Sequence, residues 1–299
     1  MQGKALLGRL ALLGAAMIWG SSFFVMKNAV DGIPVFLLLA IRFTIGCGLL
    51  SAVCVKKWRR CTPRLLRHGA VVGVLLFLAY TAQTYGLKDT TPGKNAFLTA
   101  VYCVLVPFVN WLLLRRRPSR WNWLAAVMCL GGIGLVSLDG GLGMNRGDAL
   151  TLVGGVFYAL HLVAVSRFGE EDDPVLLTAV QFGASAVCCW GCFLALETMP
   201  AAMPQGAWGK LIYLAVFATT LALLMQNVGQ SVTPAAPAAI LLSLESVFGV
   251  LFSVLCYGET VTLRLAMGFL LIFLAVVASE TRFSFLRRGK SYVDKGASA

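Results

Sequence analysis

The sequence predicts an all-α membrane protein in which ten transmembrane helices form two inverted five-helix repeats. Three observations lead to this fold class. Hydrophobic residues make up 59% of the 299 residues and charged residues only 13%, too few charges to solvate a soluble protein of this length. The chain also divides into apolar runs, most of them close to the roughly 20 residues that cross a bilayer. Finally, its second half repeats positions of its first half.

The apolar runs give the predicted helices in order. In lipid, a segment can satisfy its backbone N–H and C=O groups only as a helix, because hydrocarbon offers no hydrogen-bond partners. With short connections, these runs use nearly the whole chain and leave no room for a soluble domain. The predicted spans are Leu6 to Ala29, Pro34 to Val55, Leu66 to Leu87, Gly93 to Leu114, Trp121 to Leu138, Asp148 to Arg167, Pro174 to Leu196, Ala207 to Gly229, Ala235 to Tyr257, and Leu263 to Ser279.

An internal repeat relates the two halves. At an offset of 143 residues Gln83 matches Gln226, and at an offset of 139 Phe43 matches Phe182. This period exceeds the roughly 20 to 50 residues of solenoid units and is typical of transporters built from internal repeats. Because each half has an odd number of spans, the second half enters the membrane from the opposite face. We therefore predict a first repeat at residues 1–140, a second at 147–281 and a basic cytoplasmic tail at 282–299.

The net charge of +12 is distributed between the apolar runs and not along one face of a domain. This pattern indicates membrane topology, so we expect no nucleic-acid partner. Alternate loops collect 18 Lys and Arg residues on one side and 6 on the other. Since cytoplasmic loops carry the excess of positive charge, we predict a multi-pass protein of the cell membrane with both termini in the cytoplasm.

Polar and aromatic side chains interrupt the predicted helices at matched positions in both halves. Arg42 and Glu245 are the two ionisable groups well inside predicted spans, and burying a charge in a bilayer costs about 2.5 to 3.5 kcal/mol even on the lenient insertion scale. Helical spacing places several of the others on shared faces. We predict a central cavity that binds substrate through Trp19, Ser22, Arg42, Gln83, Asn95, Thr99, Tyr102, Tyr158, His161, Gln226 and Glu245.

Structural roles compete with this interpretation at four positions. Gln83 and Gln226 could serve as hydrogen-bonding contacts between helices, which contribute only about 0.6 kcal/mol each. Arg42 could pair with helix carbonyls or extend its charge toward the outer interface. His161 could be a packing histidine. Whether Arg42 and Glu245 contact each other is left open by the sequence.

Short motifs along the chain resemble the EamA branch of the drug/metabolite transporter superfamily. They are Trp19 to Phe23 followed by Lys27, Arg42-Phe43, Asn95 to Thr99, Leu242 to Glu245, and Tyr257 to Thr262. The resemblance covers essentially the whole chain. It implies ten helices in two inverted repeats, alternating access around a central cavity, and export of small metabolites such as amino acids or nucleosides. One departure is that Ser246 stands where the family usually has proline after the glutamate, which leaves a kink in the ninth span in doubt.

The function predicted is therefore a secondary-active transporter, with an exporter of multiple drugs or lipophilic cations as the alternative. A channel, an uncoupled facilitator and an intramembrane enzyme are weaker alternatives. An enzyme would need paired carboxylates, a metal-binding motif or a Ser and His arrangement, and the chain has only two histidines, His68 and His161. We expect no catalytic residues, metal or cofactor. The expected partners are a small-molecule substrate, the lipid bilayer and protons as the coupling ion.

Overall fold

The structure is a computed structural model that describes residues 2–115, 117–138, 144–169, 171–233 and 235–281. All the secondary structure in these ranges is helical apart from one isolated bridge between Leu138 and Met144. Within them, seven helices are long and apolar enough to cross a membrane, and two shorter apolar helices cover Leu241–Tyr257 and Leu263–Ser279. The all-helical membrane fold is thus confirmed, while ten crossings stay a prediction. The predicted tail at 282–299 lies outside the described residues.

Eleven α-helices in the described ranges follow the predicted spans. They are α1 (Gln2–Val30), α2 (Val35–Val53), α3 (Pro63–Lys88), α4 (Pro92–Leu114), α5 (Arg120–Ser137), α6 (Arg146–Gly169), α7 (Pro174–Leu196), α8 (Ala207–Ile212), α9 (Ala222–Val232), α10 (Ala235–Phe252) and α11 (Leu263–Thr281). A π-helical segment, Tyr213–Leu221, joins α8 to α9 without a break, so these three elements occupy the predicted eighth span. A second π-helical segment, Ser253–Tyr257, ends α10, and a 3₁₀ helix covers Lys57–Arg60.

Local sequence signals explain where several helices begin. Thr62 and Thr91 each accept a hydrogen bond from a backbone N–H of the first turn, and a proline follows at the first helical position of α3 and α4. A side-chain oxygen at this position satisfies one of the N–H groups that a helix start leaves unpaired, and proline has no N–H to satisfy. Asp173 and Pro174 form the same arrangement at α7. These signals set the helix starts independently of tertiary packing.

Equivalent helices of the two predicted repeats pack against each other. The second helices, α2 and α7, are in contact, and so are the fourth, α4 and α10, and the fifth, α5 and α11. Other large contacts between the halves also form matched pairs: α3 packs on α6 as α9 packs on α1, and α4 packs on α6 as α10 packs on α1. This reciprocal pattern is what a pseudo-two-fold relation between the halves produces. The helices that start and end the chain are thereby brought beside partners from the opposite half.

Candidate functional site

A cavity of about 190 Å³ lies among the helices and takes its walls from both halves of the chain. All eleven side chains predicted from the sequence line it. They come from α1, α2, α3, α4, α6, α9 and α10, and α7 and the π-helical segment add further side chains. The other lining residues are Phe23, Met26, Leu76, Tyr80, Thr84, Leu87, Leu162, Gln181, Phe182, Ala218, Thr219 and Leu223. The structure thus brings the predicted residues together, although their role in binding stays a prediction.

Arg42 is held at one part of this cavity by two neighbours. Its Nε donates a hydrogen bond of 2.6 Å to Thr219 Oγ1, and its Nη2 donates one of 3.3 Å to the Tyr80 hydroxyl. The guanidinium carbon also lies 4.7 Å from the centre of the Tyr80 ring, within the range of a cation–π contact. Arg42 is only 2% exposed, so these contacts replace much of its lost hydration.

The π-helical segment explains how Trp19 is oriented. At the end of this segment the N–H of Ala222 donates to Phe217 O, five residues back, and not to Ala218 O as an α-helix requires. The Ala218 carbonyl instead accepts a hydrogen bond of 2.8 Å from Trp19 Nε1. The change in helix type therefore supplies the acceptor that places the indole of α1 at the cavity wall.

A hydrogen-bond network joins α3, α4 and α6 around Gln83. Its Nε2 donates to Thr99 Oγ1 at 2.9 Å, and its Oε1 accepts a hydrogen bond of 2.9 Å from the Tyr158 hydroxyl. Asn95 is fully buried, and its Nδ2 donates to the backbone carbonyl of Gln83 at 3.3 Å and to Thr151 Oγ1 at 2.7 Å. Both ends of the Gln83 amide are therefore satisfied within the protein.

His161 has a single described partner, the Gln181 side chain, whose Oε1 lies 3.0 Å from His161 Nε2. Both residues are buried. The contact joins α6 to α7 and accounts for a polar atom on each side chain. Ser22, on α1, satisfies its own hydroxyl by donating to the Trp19 carbonyl at 2.7 Å.

Glu245 and Gln226 differ from the residues above. Among the residues that the structure describes, neither side chain has a hydrogen-bond or ion-pair partner, and both line the cavity. Among the ion pairs of the described residues, none joins Arg42 to Glu245. The question left open by the sequence is thus answered, and the two charges do not neutralise each other directly.

Small residues bring Glu245 to the cavity. A methyl group at Gly20 of α1 would lie 2.5 Å from Phe248 Cβ and 2.9 Å from the Glu245 carbonyl. One at Gly249 would lie 2.5 Å from Ala96 Cβ of α4. These glycines let the backbones of α1 and α4 approach α10, the helix that carries Glu245, closely.

Four polar lining residues, Tyr80, Thr84, Gln181 and Thr219, were not among the predicted site residues, although the sequence carried a signal for three of them. Tyr80 precedes Gln83 by three residues and Thr219 precedes Gln226 by seven, so each shares a helical face with a predicted residue. Gln181 is the repeat counterpart of Arg42. Polar residues matched between the halves do not include Tyr80 or Thr219, yet both contact Arg42 directly.

The described residues contain no group of three or more His, Cys, Asp or Glu side chains arranged to hold a metal ion. The nine cysteines are all unpaired thiols, spread over several helices. What the cavity offers a ligand is hydrogen-bonding and charged groups between aromatic and aliphatic walls.

The chain is similar to known transporters over almost its full length. The model of the EamA-like transporter family matches residues 6–138 and again residues 145–280. An uncharacterized transporter of Archaeoglobus fulgidus is 33% identical over 279 residues, which cover 93% of this chain and 87% of that protein. A Pseudomonas aeruginosa protein named "Probable biotin transporter" is 25% identical over 86% of this chain and 92% of its own.

A solved crystal structure has the same fold. It superposes with a TM-score of 0.64 and covers 92% of this chain and 98% of its own, at 21% sequence identity.

Proposed function

Because this chain belongs to the EamA-like transporter family, we propose that it is a secondary-active transporter that moves a small metabolite across the cell membrane by alternating access. The observation that supports this most is the composition of the cavity wall, which both halves of the chain supply. Movement of one half against the other would open such a cavity to one side and close it to the other. In transporters built from repeats, substrate sites lie at this kind of interface.

We place both termini in the cytoplasm and divide the protein into inverted repeats at 1–140 and 147–281. The unequal distribution of Lys and Arg supports this orientation. Ion pairs support a shared face for two of the loops, because Lys57 and Arg64, which flank the start of α3, contact Asp173 and Glu171 beside the start of α7. The charge pattern assigns these two loops to the same face of the membrane.

Amino acids and nucleosides are the substrates that we propose first. Drugs and lipophilic cations are the alternative substrates. A cavity of about 190 Å³ is smaller than the roughly 300 to 1,000 Å³ of pockets for drug-sized ligands. This size favours a small metabolite over a bulky drug. Biotin is a further candidate, because the Pseudomonas aeruginosa protein that is similar over most of this chain is named "Probable biotin transporter".

Uptake into proteoliposomes that contain the purified protein tests the proposal. Radiolabelled amino acids, nucleosides, biotin and a lipophilic cation are offered in turn, with protein-free liposomes as the control. We expect the initial rate for at least one compound to saturate with concentration, because a carrier exposes a limited number of sites. A rate that rises without saturation would identify a channel, and conversion of the compound to a product would identify an enzyme.

Glu245 is the group that we propose carries the coupling proton. Its carboxylate lines the cavity without a described partner, so it is available to bind a proton and the substrate in turn. In Glu245→Gln, we expect substrate exchange to lose its dependence on a pH gradient, while Glu171→Gln, an exposed carboxylate outside the cavity, keeps it. Unchanged pH dependence in Glu245→Gln would rule out this role. If transport by the wild-type protein does not depend on the pH gradient, the protein is an uncoupled facilitator.

A further inference from the structure

We propose that the substrate is a small monoanion, a carboxylate in the simplest case, whose charge binds the Arg42 guanidinium. This inference rests on the proposed transport function and changes the order of its candidate substrates. It favours a carboxylate such as biotin over nucleosides, which are uncharged, and over amino acids, which as zwitterions carry no net charge. It follows from a difference among the polar groups of the cavity: some have all their donors and acceptors bonded to the protein, and others keep donors or acceptors that are not bonded.

Most of the polar lining is occupied by internal contacts. The Gln83 amide is bonded at both ends, to Thr99 and Tyr158, and His161 is bonded to Gln181. A ligand that used these groups would first have to break a hydrogen bond between helices. Groups that remain open therefore define the ligand better than the full list of lining residues.

Arg42 has the strongest unused binding capacity. A guanidinium has five N–H donors, and among the described residues Arg42 uses Nε and Nη2 but has no acceptor for Nη1. The side chain is 2% exposed and lines the cavity. A buried cation without a counter-charge is costly unless a partner arrives, and the planar edge of a guanidinium matches a carboxylate through two parallel hydrogen bonds.

Thr219 holds this guanidinium in place before any ligand binds. Its hydroxyl donates to the Leu214 carbonyl at 2.8 Å, which leaves the oxygen lone pairs to accept the bond from Arg42 Nε. Tyr80 fixes the other side of the group through its ring and hydroxyl. Thr219 and Tyr80 are therefore positioning residues, and they orient the remaining N–H groups without needing to contact the substrate.

The charge of the cavity indicates a monoanion. Among the described lining residues, Arg42 alone carries a permanent positive charge and Glu245 alone a carboxylate. Arg42 is bonded to α3 and the π-helical segment, whereas α10, which carries Glu245, packs on α1, α4 and α11. With the proposed coupling proton on Glu245, the cavity carries the single positive charge of Arg42, which matches one negative charge on the substrate. A dianion such as a phosphate ester would leave a charge uncompensated.

The surroundings of Arg42 indicate that the rest of the substrate is apolar and flat. Tyr80 packs edge-on against Tyr158 at 5.5 Å between ring centres, and Tyr158 lies 5.9 Å from Tyr102. These three rings line the cavity beside the guanidinium. An aryl or alkyl carboxylate would place its charge on Arg42 and its body against these rings.

Matched ligand pairs test the charge directly on the purified protein in detergent. Isothermal titration calorimetry compares phenylacetate with phenylacetamide and indole-3-acetate with indole-3-acetamide, since each pair differs in charge but hardly in shape. Phenyl phosphate serves as the dianion. We expect each carboxylate to bind at least about tenfold more tightly than its amide, and more tightly than phenyl phosphate. Equal affinity for carboxylate and amide, or preference for the amide, would overturn the proposal.

Variants then assign the preference to Arg42. We expect Arg42→Gln to bind carboxylate and amide alike, and Arg42→Lys to keep a weakened preference because it keeps the charge but loses the planar fork. Thr219→Val should also weaken the preference for carboxylate over amide, since the guanidinium loses the contact that orients it. Arg64→Gln, an exposed arginine outside the cavity, is the control and should behave as the wild type. A preference that survives in Arg42→Gln contradicts the proposal.

Flux measurements separate this proposal from the transport function itself. Saturable transport of neutral or cationic metabolites, with carboxylates excluded, would overturn the monoanion assignment and leave the transporter standing. Absence of flux for every class of compound would overturn the transport function instead, while the calorimetric comparison still reports on Arg42.

Discussion

The hydroxyl of Tyr158 shows how a single polar atom inside the membrane contributes to the structure. It donates a hydrogen bond of 2.9 Å to Gln83 Oε1, across the contact between α6 and α3. Gln83 is half-buried at the cavity wall, so water can replace part of this bond when the donor is removed. The expected net loss is about 0.5 to 1.5 kcal/mol, the usual contribution of one intramolecular hydrogen bond.

Replacing Tyr158 with Phe therefore tests whether the Gln83 network is structural. We expect Tyr158→Phe to lower the thermal unfolding midpoint of the purified protein, because it removes the donor but keeps the ring at the cavity wall. The Michaelis constant for the transported substrate should change little. Tyr257→Phe makes the same change at a 40% exposed position and should unfold as the wild type does. A large rise in the Michaelis constant with an unchanged midpoint would instead make the hydroxyl a substrate ligand.

Proline inside a helix has a structural consequence in α4. Pro107 has no N–H, so it cannot donate to the Cys103 carbonyl four residues earlier. Ser279 Oγ, from α11, donates to that carbonyl at 3.3 Å, and Asn122 Nδ2 of α5 donates to Ser279 Oγ at 3.2 Å. The missing backbone bond is thus replaced by side chains that tie three helices together.

Close contact between α1 and α10 depends on glycine. At Gly20 even a methyl group would overlap Phe248 Cβ at 2.5 Å and approach the Gly249 backbone nitrogen at 2.9 Å. The overlap is with backbone and Cβ atoms, which cannot rotate away, so the helices have to separate. That separation would move Glu245 relative to the rest of the cavity.

Gly20→Ala is the corresponding prediction. We expect it to destabilise the protein by about 1 to 3 kcal/mol, the usual cost of overfilling a packed contact, and to slow transport. The matched control is Gly48→Ala in α2, where a methyl group would meet nothing within 4 Å and where alanine favours the helix. Thermal unfolding and proteoliposome flux measure both effects. Equal behaviour of the two variants would show that the α1–α10 contact tolerates separation.

On the scale of the whole molecule, ion pairs connect the two halves at one end of the helix assembly. Lys57 Nζ, after α2, lies 2.8 Å from Asp173 Oδ2, and His68 Nδ1 lies 2.6 Å from Asp172 Oδ2. The His68 ring also stacks on Phe168, with 4.0 Å between ring centres. These contacts join the loop after α2 and the start of α3 to the end of α6 and the loop before α7, between residues at least 100 positions apart in sequence.

Asp173 combines this contact between halves with capping of α7. Its Oδ1 accepts hydrogen bonds from the N–H groups of Val175 and Leu176 at 3.0 and 3.1 Å. Burial alone would raise the pKa of this carboxyl, but the hydrogen bonds from Lys57 and from these two N–H groups outweigh burial and hold the pKa below its ordinary value of 3.8. The charged form is therefore the form that stabilises the fold.

Two substitutions separate these contributions. Asp173→Ala removes both the cap and the ion pair, and we expect it to cost about 0.5 to 2 kcal/mol at neutral pH. Asp173→Asn keeps a capping oxygen and should cost less, since an exposed ion pair contributes about 0 to 1 kcal/mol. Because the folded pKa is depressed, the contribution of the charge is complete above the ordinary pKa and is lost as pH falls through the lower, folded value. Unfolding measured from pH 7 down to pH 3 should therefore show wild type and Asp173→Asn converging; a gap that stays constant would contradict the assignment.

The sequence by itself determined the class of fold, the approximate extent of most helices and eleven of the side chains that line the cavity. Apolar runs specify helices wherever lipid offers no hydrogen bonds, and Thr-Pro and Asp-Pro pairs mark where α3, α4 and α7 begin. Polar residues inside those runs carry an energetic cost, so their positions pointed to the cavity before its shape was known. The repeat indicated which helices would correspond.

Only the tertiary structure decided which of these polar groups are already bonded and which remain open. Arg42 contacts Thr219, 177 residues away, and not Glu245. Tyr158 and Gln83 satisfy each other, whereas Glu245 and Gln226 have no described partner. Helical spacing fixes which residues share a face of one helix, but it carries no information on the side chain that faces them from another. That pairing depends on glycine contacts between helices and on the π-helical segment, both of which are set by packing across the two halves of the chain.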